Sequence, residues 1–140
     1  MNMDSLSIFV GYNLKRAMAV VQADLVRVLA RHNLKLGTFT VLAAIGDAPG
    51  IAAIRLAELL GIERSNLVAI LDDLGRRGLI TRSASLTDRR SHELHRTAEG
   101  AAVFQAALAD VHDHEAKVFA GLTTEERAEM IRLCQKLWAT

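Results

Sequence analysis

The chain has 140 residues, the length of one ordinary domain. Its formal net charge of +1 excludes a globally basic surface as the sign of a nucleic-acid partner, and 51% hydrophobic residues with only 4% aromatic favour close-packed helices over a β-sandwich. The single cysteine, Cys134, excludes an internal disulfide framework and fits a reducing cytoplasm, and apolar runs no longer than that of residues 41–45 exclude a helical membrane span.

The first residues carry Asp4 and no basic leader before their apolar positions, which is not the pattern of a signal peptide. A long helix is expected over 5–32. Ser5 is placed to cap it, and Leu6, Phe9/Val10, Leu14, Ala17, Val21, Leu25 and Val28 recur at helical spacing. His32-Asn33 marks its stop. Residues 36–46 form a second helix, apolar nearly all round and therefore central in the core. The run Gly46-Asp47-Ala48-Pro49-Gly50 breaks it.

A short helix over 53–60 points Leu56, Leu59 and Leu60 inward. After Gly61, an amphipathic helix runs from Glu63 or Ser65 to about Arg77, with Leu67, Ile70, Leu71 and Leu74 on its inner face. Two short helices hinged at a glycine have the helix-turn-helix pattern. Gly78 suits a left-handed helix end. Residues 79–82 read as a strand, 83–90 as a polar loop and 91–96 as the returning strand, which makes the helix-turn-helix winged. Thr97 caps a further helix that ends at Gly121, with Phe104, Ala107/Leu108, Val111 and Val118/Phe119 as its stripe. Thr123 and Glu126 form a capping box for the last helix, which is expected to bury Met130, Leu133, Cys134, Leu137 and Trp138.

The expected fold is thus mainly α with a small β-wing. A winged helix-turn-helix lobe over about 36–97 lies between helices 5–32 and 98–140 in a single domain, 1–140. The outer helices carry apolar faces wider than the small lobe can cover. A second copy of the chain is the simplest cover, and a two-fold dimer presents two recognition helices to half-sites about one DNA turn apart.

Arginine is concentrated in the same lobe: seven arginines and no lysine lie between Gly61 and Gly100. The guanidinium fork grips phosphates and guanine edges where an ammonium does not. Arg64, Ser65, Asn66, Val68 and Ala69 occupy the exposed start of the recognition helix, where free backbone N–H groups suit phosphate. Ser65 or Asn66 would alternatively serve as caps. Arg76 and Arg77 suit the negative end of that helix better than base contact.

Several stretches together resemble the MarR family of bacterial transcription regulators. They are Leu56-Ala57-Glu58-Leu59-Leu60-Gly61, then Leu74-Gly75-Arg76-Arg77-Gly78-Leu79-Ile80-Thr81-Arg82, then Asp88-Arg89-Arg90 and Thr97-Ala98-Glu99-Gly100. The resemblance covers nearly the whole chain. It implies a homodimeric, sequence-specific DNA-binding regulator, acting as a ligand-responsive repressor on a pseudo-palindromic operator. It implies wing contacts with DNA from Arg82, Thr87, Asp88, Arg89 and Arg90, with Asp88 holding an arginine in pose and the wing arginine sensing minor-groove width. Two positions depart from the family pattern. Ala69 stands where a long polar or basic residue is common, and the inner face of the return strand would be His92, Leu94 and Arg96 instead of wholly apolar.

The resemblance also implies a small effector, of the aromatic-acid kind, between the dimerisation helices and the DNA-binding lobe. Tyr12, Arg16 and His114 are the candidates for such a site. His32, His92 and His95 raise the same question. His112 and His114 suggest a metal-responsive alternative, but two residues apart on a helix they point to different faces, and Asp110 is placed to pair with His114. Cys134 reads as packing. No nucleophile motif, phosphate-binding glycine loop or ligand set points to an enzyme, cofactor or metal. A winged-helix module that binds protein and not DNA is the remaining alternative.

Overall fold

In the computed structural model, residues 4–84 and 92–139 are described. The order is α1 (Asp4–Ser7), α2 (Val10–Ala30), α3 (Leu36–Asp47), β1 (Ile51–Ala52), α4 (Ala53–Leu60), α5 (Arg64–Arg76), β2 (Ile80–Ala84), β3 (His92–Arg96), α6 (Ala98–Val118) and α7 (Thr124–Trp138). The long helix expected over 5–32 is in fact two. Phe9 is extended, at φ −92° and ψ 130°, and separates α1 from α2. The Asn13 side-chain amide donates to the Ser7 and Phe9 carbonyls at 2.8 and 2.9 Å, so the joint keeps its polar groups satisfied. Ser5 lies inside α1 and caps nothing. The apolar period runs unbroken through the joint, but residues 4–10 are all exposed, so packing within the chain does not enforce one straight helix there.

The core lies where α3 meets α5, the sheet and α6. Leu29, Val41, Leu42, Ile45, Leu56, Leu67, Leu71, Leu74, Leu94 and Ala107 are buried there, which confirms the centrality of α3. Phe39 and Phe104 stack with ring centroids 5.2 Å apart, joining α3 to α6.

The sheet is antiparallel, in the order β1-β3-β2. Strand β1 was not expected. Two residues are too few to show a period, and they are held by pairing Ile51 with Leu94 and by Gly50 N–H donating to the Leu94 carbonyl at 2.8 Å.

Both helix caps expected after the wing are present. The Thr97 hydroxyl accepts from the Gly100 N–H at 2.9 Å and donates to the Gly78 carbonyl at 2.8 Å. Thr123 and Glu126 exchange their two bonds at 2.9 and 3.0 Å. The face of α7 expected to be buried is not. Leu137 and Trp138 are each 70% exposed, Met130 and Leu133 are exposed as well, and Cys134 is half-buried. Helical spacing reports an apolar face and not what covers it.

Candidate nucleic-acid interface

Helix α4 and helix α5 meet at Gly61, whose left-handed backbone, φ 63°, makes the turn that glycine accepts without strain. Leu56 and Ala57 on α4 pack with Leu67, Leu71 and Leu74 on α5. This buries one side of α5 and leaves Arg64, Ser65, Asn66, Val68, Ala69 and Asp72 exposed on the other. All five residues expected on the recognition helix therefore share its outward surface. Glu63 is the residue before the first turn and makes no side-chain cap, so neither Ser65 nor Asn66 serves as one. The first-turn N–H groups keep their capacity for an anion such as a DNA phosphate.

The basic residues at the other end of α5 are held by acids. Arg76 and Arg77 both donate to the Asp73 carboxylate, at 3.1 and 3.2 Å. Arg82, expected at DNA, donates to Asp72 at 2.7 Å, and its guanidinium passes over Gly75. This side chain ties the wing strand β2 to the recognition helix. The remaining wing residues of the expected interface, Thr87, Asp88, Arg89 and Arg90, lie outside the described residues.

Both unusual positions on the return strand have a physical account. Arg96 faces inward, opposite Ile80. Its guanidinium lies 4.7 Å from the Phe104 ring centroid and donates to the Leu42 carbonyl at 3.3 Å, packed against Gly46. A planar cation can stack on a ring and bond a carbonyl at once, so it fills a position where an aliphatic side chain is usual. His92 pairs with Ala84 at the outer end of the sheet, beyond the core, and is exposed.

The effector candidates divide. On α2, Arg16 donates to the Tyr12 hydroxyl at 2.8 Å, and it lines a shallow groove with Val20, Asp24 and Arg27. His114 is not in that groove. It is buried on α6, 3% exposed, with Nδ1 2.7 Å from Asp24 Oδ2. Asp24 thus joins the two: it borders the groove on one side and holds His114 on the other. Its hydrogen bond from Arg27, then that from His114, hold its carboxyl well below the usual carboxylate range. The Nε2 of His114 is buried without a hydrogen-bond partner among the described residues.

The expected pairing of Asp110 with His114 does not occur. Asp110 instead meets His32 Nε2 at 2.7 Å. Two His–Asp pairs, Asp24 of α2 with His114 and His32 in the turn after α2 with Asp110, therefore join this part of the chain to α6. Partners this distant in sequence leave no local signal. His112 is exposed and points away from His114, and among the described residues no three metal-ligating side chains gather.

Comparison with known proteins agrees with this geometry. A family model described as MarR family matches residues 32–91. The HTH-type transcriptional repressor Rv2887 of Mycobacterium tuberculosis is 31% identical over 127 residues, which span 91% of either chain. The structure of the transcriptional repressor CouR bound to a 23-mer DNA duplex superposes with a TM-score of 0.93 at 36% identity, covering 98% of this chain and 97% of that one. The Mycobacterium tuberculosis MarR family protein Rv2887 in complex with salicylic acid superposes with a TM-score of 0.73 at 30% identity, over 92% and 96% of the two chains. An exposed recognition helix, a wing tied to its flank and a likeness running nearly end to end lead to one conclusion: the chain belongs to the MarR family of winged-helix, DNA-binding transcriptional regulators.

Proposed function

We propose that the protein is a ligand-responsive repressor that works in the cytoplasm as a homodimer on a pseudo-palindromic operator. The observation that carries the reading is the outward face of α5, whose first turn offers uncapped N–H groups and Arg64 while its opposite face is locked into the core. Two such helices would enter successive major grooves, and Arg89 and Arg90 of the two wings would reach the flanking minor grooves, with Asp88 holding an arginine in pose. The likeness to CouR, a repressor whose structure is bound to a 23-mer DNA duplex, supports duplex DNA as the partner.

Apolar surface at both ends of the chain supports the dimer. Ile8, Phe9, Val10 and Met18 at the start and Ile131, Leu137 and Trp138 at the end are all at least half exposed, and a second copy of the chain would cover them. The effector is a small aromatic acid, in keeping with the salicylic acid bound to a relative. Arg16 and Tyr12 take its carboxylate, and His114 acts through Asp24. The effector lowers DNA affinity by binding more tightly to a conformation whose half-site spacing no longer fits.

The test is binding of the purified protein to the DNA upstream of its own gene, at two salt concentrations, for wild type and Arg90→Ala. Wild type should bind tightly at low salt and lose affinity steeply as salt rises, with Arg90→Ala weaker and less salt-dependent. If neither protein binds at low salt, the reading is wrong.

A further inference from the structure

The outer stripe of the recognition helix has an unusual chemistry. Helical spacing sets Ser65, Val68, Ala69, Asp72 and Arg76 opposite the buried Leu67, Leu71 and Leu74. At the middle of that stripe stand two apolar side chains. Val68 is 52% exposed and takes no part in the core, and Ala69 lies exposed beside it. The long donors nearby are engaged elsewhere, Arg76 on Asp73 and Arg82 on Asp72. Among the described residues, two charged groups flank the pair: Arg64, one turn before Val68 at the start of the helix, and the Asp72 carboxylate, which Arg82 holds and which accepts and cannot donate.

A major-groove edge is read by what it presents. Guanine presents two acceptors and needs a long donor, which the middle of α5 does not supply. Thymine presents a C5-methyl group that projects into the groove and favours an apolar contact. We propose that Val68, with the Ala69 methyl beside it, reads thymine C5-methyl groups at the centre of each half-site, which makes Val68 a specificity-determining residue. Asp72, neutralised by Arg82, flanks this contact, and Arg64 serves the edge of the site. The proposal rests on the DNA-binding reading above and deepens it.

The test starts from a pool of random-sequence duplexes from which the wild-type protein selects at low salt. In the enriched duplex each thymine is replaced in turn by deoxyuridine, which removes the C5-methyl group and leaves the pairing edges intact. At one or two thymines in each half-site the wild-type protein should lose about fourfold in affinity, the value of burying roughly one methyl group. Val68→Ala should show no such loss at the same positions. Because Val68 is exposed, its melting temperature should match wild type and exclude a folding defect.

The proposal is overturned if enriched half-sites share no thymine, if no uracil substitution weakens wild-type binding, or if both proteins lose equally at every position. If the wild type selects no duplex from the pool at all, the DNA-binding reading itself falls, an outcome distinct from those three.

Discussion

Arg96 shows how one side chain can meet three demands. It sits on a strand face that should be apolar, covers Phe104, bonds the Leu42 carbonyl and closes against Gly46. Arg96→Ala should therefore cost about 1–3 kcal/mol, the sum of a desolvated cation–π contact and a half-buried hydrogen bond, measured as a shift in urea midpoint. His92→Ala, at an exposed strand end, should stay within about 0.5 kcal/mol of wild type. Equal costs for the two would show that the inward contacts of Arg96 carry no weight.

Asp24 makes a pH-dependent prediction at the same scale. Its folded pKa is depressed, first by Arg27 and then by His114. A depressed carboxylate stabilises the fold fully above its unfolded value, about 3.9, and that contribution is lost as pH falls toward the native value. Urea unfolding at pH 5, 4 and 3 should show a shallower acid loss for Asp24→Asn than for wild type. Parallel slopes would mean that the carboxylate is not held by these partners in solution.

At the scale of elements, the chain is organised around the junction between the wing and α6. Gly100, in the first turn of α6, lies so close to the Leu79 carbonyl that a Cβ there would overlap it. Thr97 bonds both sides of the junction. Gly100→Ala should destabilise by about 1–3 kcal/mol, since a methyl forced against backbone cannot be relieved by a rotamer change. The better helix propensity of alanine predicts the opposite sign. Thermal denaturation decides between the two. Asp24, which borders the α2 groove, bonds His114 on α6, the same helix whose first turn forms the junction with the wing.

For the whole molecule, the decisive feature is apolar surface left uncovered by the described residues. Leu137 and Trp138 stand 70% exposed at the end of α7, and Ile8 is 77% exposed at the other end. The double variant Leu137→Glu, Trp138→Glu should be monomeric in sedimentation at micromolar concentration, where the wild type should sediment as a dimer. Its DNA affinity should drop by at least the loss of one half-site. A wild type that sediments as a monomer yet binds DNA tightly would refute the dimer.

Local signals alone determined most of the architecture. Glycines at 61 and 78, threonine caps at 97 and 123 and the 3.6-residue period placed α3 to α7 within a few residues, because each of these acts over one turn of chain. The outward face of the recognition helix was legible for the same reason: Leu67, Leu71 and Leu74 mark its buried side, so the rest must face out. Only the tertiary structure decided what depends on distant partners. It broke the first helix at Phe9, paired Asp110 with His32 and Asp24 with His114, turned Arg82 onto Asp72 and seated Arg96 on Phe104. A side chain with two suitable partners chooses by proximity in space, and that proximity is set by packing, which no window of sequence contains.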